Sequence, residues 1–103
     1  MTDFDAAGLD DVIHSKLRLG VMAYLSGVKD ASFAELKEKT GATDGNLSAQ
    51  MRKLEEAGYV AIEKMFVGRK PHTRASLTKA GRTAWTAYLA QLEALIGMTK
   101  GEG

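Results

Sequence analysis

The sequence predicts a mainly helical α+β domain whose sheet is a small β-hairpin. Three patterns indicate this fold class. Residues 43–57 carry an apolar stripe at i, i+4 and i+7, the spacing of one buried helix face, formed by Leu47, Met51 and Leu54. Residues 59–77 contain two runs of strand formers around a turn that includes Gly and Pro. Residues 78–97 repeat apolar side chains at three- and four-residue steps, as a long amphipathic helix does.

The composition is that of one ordinary globular domain. The chain has 103 residues, a formal net charge of +1 and no cysteine, which excludes disulfides and thiolate metal sites. The acidic N-terminus lacks the basic start and apolar run of a signal peptide, and no segment has the roughly 20 apolar residues that span a bilayer. We therefore expect a cytoplasmic protein without membrane contact, and no cofactor is indicated.

The charges are unevenly distributed along the chain. The first fourteen residues hold four aspartates and no Lys or Arg, whereas residues 64–92 hold six basic residues and no acidic one. The basic residues of this run are Lys64, Arg69, Lys70, Arg74, Lys79 and Arg82. Such a run is either a solvated surface or, where the fold places it suitably, a surface for phosphates.

The first part of the chain predicts one helix. Residues 1–8 are expected to be a flexible N-terminus, with Gly8 as their boundary. Apolar side chains at three- and four-residue steps predict a helix over residues 9–25, interrupted near His14 and Ser15, where Ser15 can cap a second segment.

Two helices separated by a short turn follow. Ser32 and Glu35 have the S-x-x-E spacing of a capping box, which predicts a short helix that stops at Gly41. Thr43 is then a good N-cap for the helix over residues 43–57. Two helices joined by a short turn containing Gly have the helix-turn-helix geometry, in which the second helix is presented outward.

The remaining chain predicts a hairpin and a terminal helix. The turn of the hairpin is expected at residues 67–72, which include two basic residues and the sole proline of the sequence. Thr78 is expected to cap a helix over residues 78–97, and residues 98–103 are expected to be a disordered tail. Residues 9–97 therefore form one predicted domain.

Four motifs carry a resemblance to a known family. They are DGNLS at 44–48, LEEAGYV at 54–60, GRKP-x-T at 68–73 and LT-x-x-GR at 77–82. Over roughly residues 9–96 the chain resembles the small single-domain winged-helix DNA-binding family related to MarR-type and ArsR-type regulators. The resemblance implies a winged helix-turn-helix and a sequence-specific transcriptional regulator that is usually a homodimer. Gln50 stands where relatives often carry His, which leaves the base preference open.

The chemistry of two segments suits double-stranded DNA. A helix about 10–12 Å wide fits the major groove, which predicts residues 43–57 as the recognition helix. Asn46 can pair with adenine and Arg52 with guanine, although Arg52 can instead pair with a Glu on its own helix. We call residues 66–74 the wing and expect them at the minor groove, where Arg69 would insert. The predicted DNA contacts are Thr43, Asn46, Ser48, Ala49, Gln50, Arg52, Lys53, Arg69, Lys70, His72 and Arg74.

The terminal helix predicts a homodimer. Its apolar stripe is too long for a small three-helix core to cover, so we expect it to pair with its counterpart in a second chain, helped by the first helix. The expected interface residues are Leu9, Val12, Ile13, Trp85, Tyr88, Leu89, Leu92 and Ile96. A two-fold dimer would set two recognition helices about 34 Å apart, which predicts an inverted-repeat operator. Packing of the whole stripe within one chain is the alternative.

Two other functions stay as alternatives, and enzymatic ones are disfavoured. The sequence has no Gly-rich phosphate loop, no nucleophile elbow and no metal-ligand spacing around His14 or His72, so neither an enzyme nor a metal site is expected. A winged helix can instead be a protein-binding module, because fold does not fix function. A MarR-like sensor would hold an unidentified small-molecule effector near Tyr24, Trp85 and Tyr88, although in so short a chain the core is the favoured place for these aromatic side chains.

Overall fold

The computed structural model describes residues 8–99, and this part of the chain contains four helices and a three-stranded antiparallel sheet. The elements are α1 (Lys16–Ser26), β1 (Ala31–Ser32), α2 (Phe33–Thr40), α3 (Asp44–Glu56), β2 (Val60–Val67), β3 (Lys70–Leu77) and α4 (Lys79–Thr99). The strand order is β1-β3-β2, so β3 lies in the middle. The predicted α+β fold class is confirmed, with the helix-turn-helix and the hairpin both present.

The ends of the described chain meet two predictions only in part. Residues 1–7 of the predicted flexible N-terminus and residues 100–103 of the predicted tail lie outside the described residues. In the described part of the chain, α4 continues to Thr99, whereas the sequence predicted its end at residue 97. Helix ends fray, and the assignment of a last helical residue commonly varies by one or two positions. The two extra residues of α4 are therefore a small difference from the prediction.

The first helix is shorter than predicted, since α1 begins only at Lys16. Asp10 explains the difference, because its Oδ1 atom accepts hydrogen bonds from the N–H groups of Val12 at 2.8 Å and Ile13 at 3.3 Å. These bonds make a local turn that competes with a helix. Ser15 occupies the N-cap position of α1, but its side chain makes no capping hydrogen bond.

Side-chain caps fix the starts of the next two helices. Ser32 Oγ accepts from the N–H of Glu35 at 3.0 Å at the start of α2, and Thr43 Oγ1 accepts from the N–H three residues on at 3.2 Å at the start of α3. Both predicted caps are confirmed. The Glu35 carboxylate also accepts a hydrogen bond from the Tyr24 hydroxyl, which raises the pKa of Tyr24 and ties α2 to α1.

The core forms around α3. The stripe predicted for residues 43–57 is buried, with Leu47, Met51 and Leu54 each at 0% exposure. These side chains pack in one cluster with residues from the other three helices, the sheet and the turn before α1. The other members of the cluster are Ile13, Val21, Met22, Leu25, Ala31, Leu36, Val60, Ala75, Leu77 and Tyr88. Because α3 is held by this side, its opposite side faces away from the core.

The hairpin has longer strands and a tighter turn than predicted. β2 and β3 remain paired as far as Val67 and Lys70, so only Gly68 and Arg69 form the turn. Gly68 has φ of +66°, a left-handed conformation that two-residue hairpin turns require and that glycine adopts without strain. Pro71 follows the closing pair, where the alternation of an antiparallel ladder needs no N–H from it.

The strand β1 was not predicted. It pairs Ala31 with Ala75 and Ser32 with Arg74 on the free side of β3. Asp30, immediately before β1, accepts a 2.9 Å hydrogen bond from Arg74 Nε, and this contact raises the pKa of the guanidinium. The segment that connects α1 to α2 is therefore attached to the hairpin by two backbone pairs and one ion pair.

A close main-chain contact fixes the start of α4. Thr78 Oγ1 accepts from the N–H of Gly81 at 2.9 Å and donates to Gly58 O at 2.6 Å, which confirms Thr78 as the predicted cap. The N–H of Thr78 also donates to Tyr59 O at 3.0 Å. Gly81 lies so near that a Cβ atom there would stand 2.0 Å from the same Tyr59 oxygen. Position 81 therefore requires glycine.

Two tyrosines hold the residues before α1. The Tyr59 hydroxyl donates to Asp10, and the hydroxyl of Tyr88 lies 2.7 Å from Nδ1 of His14. The hydrogen bond to Asp10, together with burial, raises the pKa of Tyr59 to about 12, and burial raises the pKa of Tyr88. The turn at residues 10–13 is thus attached both to the α3–β2 connection and to α4.

The molecule is elongated because α4 projects from the core. The described chain measures 60 by 25 by 20 Å, and the 21 residues of α4 account for about 32 Å of helix. No residue from 89 to 99 is buried. None of the helices within residues 8–99 is long and apolar enough to cross a membrane.

We expect Gly81→Ala to destabilise the protein by about 3 kcal/mol or more. The added methyl group would overlap the carbonyl oxygen of Tyr59, which is held in place by the hydrogen bond from the N–H of Thr78. Chemical denaturation measures the change. Gly97→Ala is the matched control, since nothing lies within 4 Å of a Cβ at this other α4 glycine. The control should gain about 0.5–1 kcal/mol from helix propensity. Equal stability of the two variants would contradict the close contact.

We expect the contact between Tyr59 and Asp10 to make the free energy of unfolding depend on pH in the alkaline range. The folded state raises the Tyr59 pKa from 10.0 to about 12, so it favours the neutral phenol. This contribution is complete below pH 10 and is lost as the pH rises towards 12. The free energies of unfolding of wild type and Tyr59→Phe should therefore converge over that range. A constant difference between the two proteins would show that the phenol does not titrate with folding.

Candidate nucleic-acid interface

The outer side of α3 is open to solvent. We define it as Gly45, Asn46, Ser48, Ala49, Arg52 and Lys53, all of which are exposed. Thr43, at the N-cap, is exposed as well. A Cβ built on Gly45 would meet nothing within 4 Å, so the first turn presents bare backbone. The helix has 13 residues, about 20 Å, which gives this side a straight surface with hydroxyl and amide groups first and cations further along.

Acidic side chains stand only at the two ends of α3. Asp44 forms an ion pair with Lys37 of α2 at 3.1 Å, with both side chains largely exposed. An exposed pair of this kind contributes little to stability, but it offsets the charge of Asp44 beside the outer side of α3. Glu55 and Glu56 lie in the last turn and are exposed. Between them, residues 45–54 carry two cations and no acid.

Gln50 differs from the other predicted contacts of α3. It is half-buried, whereas they are exposed. Its Oε1 atom accepts a hydrogen bond from Nη1 of Arg18 in α1, and its Nε2 atom donates to Oδ1 of Asn46 at 3.2 Å. Gln50 therefore links the outer side of α3 to α1, and Arg18 is a residue of the site that was missed. Sequence spacing gives no signal for it, because the contact joins positions 32 residues apart.

The tip of the wing carries both charge and apolar surface. Arg69 in the turn and the adjacent Lys70 are exposed, as predicted for phosphate or groove contacts. Phe66 is 74% exposed and Val67 59% exposed on the opposing strand. Of the other two predicted wing contacts, His72 is half-buried on β3, and Arg74 is half-buried and paired with Asp30. Arg74 is therefore engaged within the sheet.

A cleft of about 640 Å³ separates α3 from the hairpin. Ser48, Arg52 and Glu55 line it from α3, and Lys64 with Thr73 lines it from the hairpin. Lys64 and Thr73 are direct partners in the strand register, so their side chains lie together on one face. Neither residue was predicted as a DNA contact. Lys64 could have been, because a cation that interrupts the apolar face of a strand indicates that this position faces a polar surface.

The three aromatic side chains considered for an effector pocket do not share one cavity. A groove of about 870 Å³ lies between α1, α2 and the start of α3, and its lining includes Tyr24 but neither Trp85 nor Tyr88. Tyr88 is 1% exposed and belongs to the core. Trp85 stacks on it, with ring centroids 5.9 Å apart. Trp85 and Tyr88 thus serve packing within the chain.

The predicted dimer residues fall into three classes. Ile13 and Tyr88 are buried in the core of a single chain and leave no surface for a partner, contrary to expectation. Leu9, Val12, Trp85 and Leu92 are partly buried against that core. Leu89 and Ile96 are 42% and 51% exposed, and Met98, which was not predicted, is 57% exposed. The unpartnered apolar surface therefore belongs to the second half of α4.

Within residues 8–99, no group of three or more His, Asp or Glu side chains is arranged to hold a metal ion. The chemistry of the site is that of hydrogen-bonding and cationic side chains on an exposed helix and hairpin.

The model of the winged helix DNA-binding domain family matches residues 17–96 of the chain. The uncharacterized protein MJ0432 of Methanocaldococcus jannaschii is 35% identical over 81 residues, which cover 79% of this chain and 88% of that protein. The transcriptional regulator homologue protein from Pyrococcus horikoshii OT3 has a similar structure. Its TM-score is 0.80 at 30% identity, covering 85% of this chain and 87% of that one.

A putative transcriptional regulator of the MarR family from Enterococcus faecalis V583 shares the fold, with a TM-score of 0.70 at 22% identity over 96% of this chain and 99% of that one. The predicted resemblance to the winged-helix DNA-binding family is thereby confirmed by the family model, and the solved structures show that regulators of the MarR and ArsR families share the fold. These are folds of transcriptional regulators, which are not enzymes, as the sequence predicted.

Proposed function

The chain belongs to the winged helix DNA-binding domain family, and on this basis we propose that it is a transcriptional regulator that binds specific double-stranded DNA sequences as a homodimer. Membership of the family implies double-stranded DNA as the partner. The proposal adds the sequence specificity, the groove contacts and the second chain.

The observation that carries the proposal is the exposed, acid-free outer side of α3 beside a basic hairpin. A protruding helix of this diameter enters the major groove, where Asn46 and Arg52 have the groups that distinguish adenine and guanine. Ser48 and Ala49 stand between them and suit close approach to base edges. The Thr43 hydroxyl and the free N–H groups at the start of α3 suit a phosphate.

The cleft between α3 and the hairpin suits the DNA backbone. Arg52 and Lys64 bring two cations to it against the single carboxylate of Glu55, and Ser48 and Thr73 bring two hydroxyl groups. Phosphate oxygens accept hydrogen bonds from Lys64 and Thr73 on the hairpin side, which leaves Arg52 and Ser48 for the base edges. With a strand held in this cleft, the turn at Gly68 and Arg69 extends towards the neighbouring minor groove, where Arg69 and Lys70 add positive charge.

The second half of α4 supports the homodimer. Leu89 and Ile96 lie seven residues apart on one helix face and are about half exposed, and none of residues 89–99 is buried. Apolar side chains at this spacing on a projecting helix are stabilised by a second helix of the same kind. A two-fold axis through paired α4 helices would present two copies of α3 to one duplex.

Selection of bound fragments from random duplexes tests the proposed function. We expect an inverted repeat whose half-sites are separated by about one helical turn of DNA, roughly 34 Å, or a multiple of it. If no sequence is enriched even at low ionic strength, sequence-specific binding is ruled out.

We expect Arg69→Ala to weaken binding to the selected operator and to make the slope of log affinity against log salt shallower by about one, because one phosphate or groove contact is lost. Fluorescence anisotropy at several salt concentrations measures both quantities. Arg82→Ala is the matched control, since Arg82 is exposed near the start of α4, beyond the opposite end of the hairpin. Identical slopes for both variants would remove the wing from the interface.

We expect Leu89→Lys to convert the dimer into a folded single chain, because it places a charge on the exposed apolar surface of α4. Sedimentation equilibrium measures the mass. Ala87→Lys is the control, because Ala87 is exposed and lies about 160° away around the helix. It should remain dimeric. A wild-type mass of one chain, or a dimer of Leu89→Lys, would count against pairing through α4.

A further inference from the structure

We propose that Arg18 fixes, through Gln50, the orientation of the Asn46 amide, so that Asn46 presents its NH2 group to a base edge. Arg18 is a positioning residue, because it acts on the DNA through two other side chains. The inference rests on the proposed function and deepens it, since it concerns which chemical group on a base the outer side of α3 selects.

Arg18 is itself held in place by backbone atoms. Its Nε atom donates to Val12 O, and its Nη2 atom lies 3.5 Å from Asp11 O. Its remaining guanidinium nitrogen, Nη1, donates to the Gln50 side chain. Because the guanidinium group is anchored to the turn before α1, it has little freedom to follow Gln50. The orientation of Gln50 must therefore follow Arg18.

The chemistry of the guanidinium group determines both amide orientations. Arginine has N–H donors and no acceptor, so the Gln50 atom that contacts it must be the oxygen, Oε1. The Nε2 atom of Gln50 then points to Asn46 and, as a donor, requires the Asn46 oxygen, Oδ1, at 3.2 Å. The Asn46 nitrogen, Nδ2, is left on the other side of its amide group, and Asn46 is exposed on the outer side of α3.

This polarity has a consequence for base recognition. An outward NH2 group needs an acceptor in the major groove, which guanine supplies at N7 and O6, adenine at N7 and thymine at O4. Cytosine presents only an amino donor there, which the NH2 group cannot bond. Adenine fits best, because Oδ1 of Asn46 keeps one lone pair for the adenine amino group. The relay of Arg18, Gln50 and Asn46 therefore selects against cytosine at one operator position.

Two substitutions at Gln50 separate polarity from packing. Gln50→Glu keeps the shape and the bond from Arg18, but a carboxylate only accepts, so the Asn46 amide must turn and donate to it. The outward group then becomes Oδ1, which suits cytosine and adenine and not guanine. Gln50→Met keeps approximate size and removes both hydrogen bonds, so Asn46 is free to turn either way.

The first test measures the ratio of affinities for guanine over cytosine at each position of the selected operator, by anisotropy on single-substituted duplexes. We expect about a tenfold ratio at one position for wild type, a ratio near one for Gln50→Met, and an inverted ratio for Gln50→Glu. Gln91→Glu is the matched control, since it adds the same charge on α4 and should leave every ratio unchanged. An unchanged ratio in Gln50→Glu would overturn the inference.

The second test needs no DNA and therefore separates this inference from the proposed function. In a proton–nitrogen NMR spectrum, the side-chain NH2 signals of Asn46 and Gln50 should both shift in Arg18→Met, with the backbone signals of α3 retained. If Arg18→Met does not fold, Gln50→Met replaces it in this test, and the side-chain NH2 signals of Asn46 should shift in that variant. Unmoved Asn46 signals in a folded variant would exclude the relay. Failure of wild type to select any duplex, by contrast, would overturn the proposed function and leave this result standing.

Discussion

Burial of one side of α3 is the interaction on which the rest of the structure depends. Leu47, Met51 and Leu54 are at 0% exposure and pack with residues from every other helix. Each such side chain removed from water contributes about 1.5–3 kcal/mol, so the three together hold α3 in one rotation about its axis. The outer side then takes no part in the core, so core packing does not set its residue types.

A second constraint sets the direction in which α4 leaves the core. Tyr59 O accepts the N–H of Thr78 and lies where a Cβ at position 81 would stand, so the first turn of α4 is pressed against the α3–β2 connection. From there α4 runs past the core, and none of residues 89–99 is fully buried. The radius of gyration is 15.7 Å, compared with about 13 Å for a compact domain of 100 residues. The extended shape of one chain is the physical reason to expect a second.

Sequence patterns predicted the elements that local interactions create, and they missed what depends on distant partners. The periodicity of α3 and the cap at Thr43 are properties of neighbouring residues, so both were predicted. The strand β1 has only two residues and exists because β3 passes beside it. The contact between Arg18 and Gln50 spans 32 positions and has no periodic signature. Periodicity also cannot tell which apolar residue faces its own core, so Tyr88, buried, and Leu89, exposed, were assigned to one interface.

The contacts that fix the start of α4 are made by main-chain atoms, the Thr78 hydroxyl and a glycine, and this has an evolutionary consequence. The carbonyl oxygens of Gly58 and Tyr59 anchor α4 whatever side chains α3 displays to solvent. Under the proposed function, duplicated genes encoding such a chain can therefore change the DNA sequence that they bind through a few codons for the outer side of α3, while the scaffold stays the same. Gln50 is the exception, because its side chain accepts a hydrogen bond from Arg18 of α1. A substitution of Gln50 therefore changes a contact between α1 and α3 as well as the surface of α3.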